Sequence, residues 1–221
     1  MSAPEVVTFD CYGTLIDWRS GIADAFARAA GAAGAEARRD DVLDAYMAVE
    51  HEVEAAAYRP YREVLVETAV RIAKRLGWTP VDGGAFLPES LPSWRPFPDT
   101  NAALERLAAG GVALGILSNV DDDLLAATRR HFHVDFALVI TAAQVRSYKP
   151  GHAHFLAARE RLAGKRWTHA AQSHFHDVVP CRALGIEVAW VNRLGEAPAG
   201  GVLPTLEVAD LAGLARVLLE M

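Results

Sequence analysis

The stretch FDCYGTLIDW, Phe9 to Trp18, closes an apolar, β-branched run that starts at Glu5, and it does so with an aspartate and a glycine turn. Such a run reads as a buried strand, which puts Asp10 at the strand's carboxyl end. The periodicity then becomes helical over Arg19 to Ala33, over Asp40 to Ala57 with Asp40 as the cap, and over Tyr61 to Leu76. Helices in succession are not a βαβ unit. Beyond the Pro- and Gly-rich WTPVDGGAFLPESLPSWRPFPDT the pattern alternates. It reads as helix Asn101 to Ala109, strand Ala113 to Leu117, helix Asp122 to His131, strand Leu138 to Ile140 and helix His152 to Leu162. A strand at His169 to Gln172, a short helix after Val178, a strand at Glu187 to Val191 and a terminal helix near Leu211 to Glu220 complete it. This predicts an α/β fold with a mostly parallel sheet and helices on both faces. The economical organisation is a Rossmann-like core domain of residues 1–16 and 93–221, with residues 17–92 inserted as an α-helical cap subdomain.

With 221 residues, of which 52% are hydrophobic, the chain can bury a large core as one domain or one domain with an insertion. Its formal charge of -6 comes from interspersed acids and bases, without a basic run to match a phosphate backbone, so nucleic acid is not an expected partner. Only Cys11 and Cys181 are present, which implies no disulfide framework and fits a reducing compartment. The amino terminus has no basic segment followed by an apolar one, and no apolar stretch is long enough to span a bilayer. The expectation is a soluble, cytoplasmic protein with no membrane partner. Its apolar, Ala-rich helix faces suit a homodimer as well as they suit packing within one chain.

Ligands of open parallel sheets bind at the carboxyl ends of the strands. That rule brings Asp10, Ser118 and Asn119 of ILSN, and the QSHFHD stretch from Gln172 to Asp177 to one rim, with Lys149 of SYKP reaching it through a loop. Asp10 in a partly dehydrated crevice can be a nucleophile, or it can be a turn-forming aspartate. Ser118 and Asn119 can bind an anion or cap the following helix, a task open also to Asp121 or Asp122. A lysine close to Asp10 would favour the ionised carboxylate. Cys11 points to the opposite strand face and reads as core.

In this order the four segments resemble the haloacid dehalogenase superfamily: FDCYGTLIDW its first motif, ILSN its second, SYKP its third and QSHFHDVVPCRALG its fourth. The resemblance implies Asp10 as nucleophile, Thr14 and Lys149 positioning it, Ser118 holding a substrate carboxylate, Asn119 facing the leaving group, and Asp177 assisting the lysine and water. Phosphatases of the superfamily carry a second aspartate two residues after the nucleophile, because an alkoxide leaving group needs a proton. Here that residue is Tyr12, the form found in the 2-haloacid dehalogenase branch, and halide leaves without a proton. Magnesium-dependent members begin the fourth motif with an acid, whereas this chain has Gln172, so Mg²⁺ is not expected to be required and no cofactor is implied.

The resemblance therefore implies a metal-independent hydrolase that displaces a leaving group from Cα of a short 2-substituted carboxylic acid through an Asp10 ester, most simply a 2-haloacid dehalogenase. Two features depart from it. The fourth motif has Gln172, Ser173 and His174 where the dehalogenases read roughly Ser-Ser-Asn, so Ser173 and His174 become substrate- or water-facing candidates. The second cap helix lacks the halide-cradling arginine, leaving Arg59 and Arg62 as candidates to replace it. The variant readings are a ring-opening hydrolase of the azetidine-2-carboxylate type, a phosphatase, and a fold retained as an interaction module.

Overall fold

The computed structural model describes residues 3–54 and 57–221. Contacts divide the chain into two compact units: residues up to Ile16 with Pro96–Asn119 and Arg130–Met221, and Asp17–Arg95 with Val120–Arg129.

The first unit is built on a six-stranded, all-parallel sheet of order β3-β2-β1-β4-β5-β6. Its strands are β1 (Val6–Phe9), β2 (Ala113–Ser118), β3 (Leu138–Thr141), β4 (Trp167–Ala171), β5 (Glu187–Val191) and β6 (Leu206–Val208). β1 is buried along its whole length, as expected of a strand covered on both faces. The strand order reverses between β1 and β4, the switch point at which ligands bind in such sheets. Asp10 and Asp177 follow the two strands that flank it. Gly115 faces Thr8 across the β1–β2 ladder; a Cβ there would stand 3.0 Å from the Thr8 methyl and 3.1 Å from Leu138 Cβ, which explains a glycine inside a strand.

Ten α-helices among the described residues complete the two units. In the second unit α1 (Trp18–Ala32), α2 (Arg39–Glu54), α3 (Tyr61–Arg75) and α4 (Phe86–Ser90) precede the return to the sheet. The expected extension of the second helix to Ala57 runs through residues outside those described. In the first unit α5 (Thr100–Ala109) packs on β2. Next in the chain, α6 (Asp122–Thr128) belongs to the second unit, and α7 (Ala142–Val145) and α8 (Ala153–Leu162) return to the first. They are followed by α9 (Val179–Ala183) and by α10 (Leu211–Leu219), which packs on α5. A core of Leu117, Ile140, Phe155, Val188, Trp190 and their neighbours fills the face under α8 and α9. In the helical unit Phe26 meets Phe86 edge-on at 5.0 Å, and Gly21 lets the Trp94 ring approach so closely that a Cβ would stand 2.3 Å from it.

Asp121 shows why α6 clusters with the helical unit, while the sequence reading placed the whole of 93–221 in the core. Asp121 does not cap its own helix through its side chain. Instead its carboxylate accepts the amides of Tyr61 and Arg62, both at 2.8 Å, and so caps α3, whose preceding residue is Pro60 and supplies no side-chain acceptor. Asp121→Ala should therefore destabilise the protein by about 1–2 kcal/mol, and Asp121→Asn should recover most of this, as read by urea unfolding.

Candidate active site

Asp10 extends the sheet one residue past β1, its amide donating to the Ala170 carbonyl at 3.0 Å. The chain then turns sharply. The Cys11 carbonyl accepts from the amides of Leu15 and Ile16, and Gly13 adopts a φ of 101°, a region that residues with a Cβ rarely enter. This turn brings Thr14 back over the carboxylate. Its hydroxyl donates to Asp10 Oδ2 at 2.9 Å and accepts from the Gln172 amide at 2.9 Å, so its direction is set from both sides. Arg193, which the sequence reading did not single out, secures the same turn. It donates to the Thr14 carbonyl at 3.0 Å, pairs with Asp99 at 3.1 Å and lies 4.0 Å over the Phe97 ring.

Lys149 is 2% exposed, and each of its ammonium protons has an acceptor. Nζ donates to Asp10 Oδ1 at 2.9 Å, to Asp177 Oδ1 at 2.7 Å and to the Leu117 carbonyl at 2.9 Å. Asn119 latches the lysine's backbone: Oδ1 accepts from the Lys149 amide at 2.7 Å and Nδ2 donates to its carbonyl at 3.0 Å. Asp177 is delivered by one turn of π-helix over His174–Val178, a widened turn of the kind frequent at functional sites. The Ser173 hydroxyl caps that turn, accepting from the His176 amide at 3.1 Å.

Burial pushes the Asp10 carboxyl above its ordinary value, opposed by the Lys149 charge and by the bonds from Lys149 and Thr14, with Asp177 adding to the rise. Burial acts on Asp177 in the same direction, but Lys149 and His169 outweigh it and hold that carboxyl well below the ordinary range. For Lys149 burial works against the charge, and the two carboxylates overcome it and keep the ammonium charged. Burial and the neighbouring Asp10 push the Cys11 thiol well up, in keeping with a core role.

Ser118 Oγ, Asp177 Oδ2, and Nδ1 of both His154 and His174 are buried without a partner among the described residues. His154 donates from Nε2 to the Ser118 carbonyl at 3.2 Å, which fixes the strand end that carries the free hydroxyl. His174 donates from Nε2 to the Val202 carbonyl at 2.8 Å and meets Trp190 edge-on at 5.0 Å. Tyr12 is half-buried beside the turn. In the helical unit Arg59 pairs with Glu67, and Arg62 pairs with Asp123 at 2.7 Å. Both arginines therefore have acidic partners within that unit.

No three His, Cys, Asp or Glu side chains among the described residues gather as a metal-ligand set. Gln172 turns its amide to Glu196 at 3.3 Å, and the facing carboxylates of Asp10 and Asp177 share an ammonium.

Residues 4–171 match the family model of haloacid dehalogenase-like hydrolases. The chain belongs to that family. Among its curated relatives, (S)-2-haloacid dehalogenase H-109 of Pseudomonas putida is 27% identical over 100% of both chains. Haloacetate dehalogenase H-2 of Moraxella sp. (strain B) is 26% identical over 89% of each. Among solved structures, the L-2-haloacid dehalogenase of Xanthobacter autotrophicus with chloropropionic acid covalently bound superposes with a TM-score of 0.84 at 24% identity, covering 99% of each chain, and shares the fold. A haloacid dehalogenase-like hydrolase is thus the frame for the site. No helix among the described residues is long and apolar enough to cross a membrane.

Burial and the Lys149 charge push the His154 imidazole down to about 3, far below its ordinary 6.5. The folded protein thus binds fewer protons than the unfolded chain between these values, and the stability present above 6.5 is lost as pH falls through the window. His154→Gln, which keeps a donor for the Ser118 carbonyl, should make that loss shallower by up to about 1.4 kcal/mol per pH unit. Urea unfolding across the acid range checks this, and an unchanged slope contradicts it.

Proposed function

We propose that the protein is a metal-independent hydrolase that displaces a leaving group from Cα of a short 2-substituted carboxylic acid, most simply halide from a 2-haloacid. The observation that carries the reading is a carboxylate held at both oxygens, Oδ1 by Lys149 and Oδ2 by Thr14, with Tyr12 where a proton-donating acid would stand. Whole-length similarity to curated haloacid dehalogenases supports the same reading.

In this mechanism an oxygen of ionised Asp10 attacks Cα, the carbon–halogen bond breaks, and halide departs with its electron pair. Lys149 and Thr14 orient the carboxylate, and positioning of this kind supplies a large part of such a rate. The buried, unpartnered Ser118 hydroxyl receives the substrate's carboxylate, because an unmet buried hydroxyl gains most from a ligand that meets it. Water then attacks the carbonyl carbon of the Asp10 ester. The C–O bond to Asp10 opens on the carbonyl side, the 2-hydroxy acid leaves, one proton goes to solvent, and Asp10 keeps one oxygen from water. His174, with a free Nδ1 lone pair, orients that water, and Asp177 Oδ2 is the second unpartnered acceptor beside it in the fourth motif. Asn119 and Ser173 act on the frame, one by fixing the Lys149 backbone and the other by capping the turn that carries Asp177.

Mg²⁺ enters no step of this scheme. The ammonium of Lys149 bridges the two carboxylates, and Gln172 supplies an amide where a metal site needs an acid.

Purified protein should release halide from 2-chloropropionate with or without EDTA, leaving p-nitrophenyl phosphate intact. Fluoroacetate and azetidine-2-carboxylate in the same panel define the leaving group. Phosphate release that EDTA abolishes, with no activity at carbon, would overturn the reading. Asp10→Asn should lower halide release by about three orders of magnitude or more.

A further inference from the structure

His169 lies in the middle of β4 with no exposure, where a parallel sheet ordinarily carries an apolar residue. A buried imidazole in that position is costly unless both ring nitrogens are met. Both are. Nδ1 is 2.8 Å from the Thr8 hydroxyl, its partner across the β1–β4 ladder, and Nε2 is 2.9 Å from Asp177 Oδ1. Trp167, two residues earlier on the same strand face, donates its indole N–H to Thr8 Oγ1 at 2.7 Å.

Counting protons assigns the tautomer. The Trp167 indole can only donate, so it takes a lone pair of Thr8 Oγ1. The Asp177 carboxylate can only accept, so the ring proton of His169 is on Nε2, and Nδ1 is left to accept the one hydroxyl proton of Thr8. An ordered chain results: Trp167 to Thr8, Thr8 to His169, His169 to Asp177, with Lys149 bridging from Asp177 to Asp10. The Phe155 ring, edge-on at 5.4 Å, holds the imidazole plane.

We propose that His169 is a positioning residue for the Asp10 chemistry: through its Nε2–H it holds the Asp177 carboxylate as an anion so that Lys149 stays aimed at the nucleophile. The proposal rests on the reading of Asp10 as nucleophile. Asp177 is fully buried and Oδ2 has no partner, so both of its bonds converge on Oδ1, one from Lys149 and one from His169. Without the histidine, desolvation acts on a carboxylate that keeps a single donor. Its protonation would then weaken the grip on Lys149.

The test compares His169→Leu with His169→Gln, whose side-chain amide can donate to Asp177. In the leucine variant, folded by circular dichroism, kcat for 2-chloropropionate should fall by about tenfold or more while KM changes little. The acid limb of its pH profile should move up by about one unit, and the glutamine variant should regain much of both. A leucine variant with the wild-type kcat and pH profile overturns the proposal, as does a loss of kcat with an unmoved profile that glutamine fails to rescue. If the wild type releases no halide, the functional reading fails instead, and ¹⁵N-histidine NMR decides the hydrogen-bond chain. A single Nε2–H ring for His169 that loses its preference in Thr8→Val supports the chain, and an Nδ1–H ring overturns it.

Discussion

The polar cluster at the carboxyl edge of the sheet is arranged around one buried ammonium. Lys149 lies between Asp10 and Asp177, and its third proton goes to the carbonyl of Leu117. An ammonium or carboxylate taken out of water alone costs several kcal/mol, and such charges persist in a core only when paired and hydrogen-bonded. The surroundings are built to meet that condition. Asn119 fixes the lysine's backbone, a π-turn capped by Ser173 presents Asp177, and a glycine turn returns Thr14 to Asp10. The arrangement also divides the two acids. Asp177, with its low pKa, is the permanent anion, whereas burial raises Asp10 against the pull of the lysine.

The parallel sheet explains how groups so distant in sequence meet. Asp10 follows β1, Ser118 ends β2, and Asp177 follows β4, all on the carboxyl side of neighbouring strands. Lys149 crosses a longer loop after β3 and is drawn in by Asn119. The hydrogen-bond chain through His169 and Thr8 runs beneath this edge, inside the sheet, so the Asp10 carboxylate is braced by the core itself.

Much of this was legible in the sequence. β1 through β5 stand out as apolar, β-branched runs between Gly and Pro punctuation, and Glu187–Val191 matches its expected bounds. β6 was missed because Leu206–Val208 is a three-residue edge strand, too short for any period to appear. α4 and α7, at five and four residues, were missed for the same reason. The four motif residues of the cluster could be placed on one sheet edge by rule, since strand ends are local features. What sequence could not reveal was pairing. Asp121 looks like the cap of its own helix, yet it caps α3, some sixty residues earlier. Asn119 looks like a ligand group but spends its amide on the Lys149 backbone. His169 offered a signal, a polar ring inside an apolar strand, but its partners Thr8 and Asp177 are identified only by the register of β1 and β4.

The central claim is that the carboxylate steadied by Lys149 and Thr14 forms the covalent bond. A single turnover in H₂¹⁸O, with protein in excess over 2-chloropropionate, tests it most directly. Water attacking the carbonyl of an Asp10 ester must leave its oxygen on the enzyme, so mass spectrometry should find ¹⁸O in the peptide containing Asp10 and unlabelled oxygen in the lactate hydroxyl. Label in the lactate hydroxyl with an unlabelled Asp10 peptide would mean that water attacked Cα itself, and the account would be contradicted.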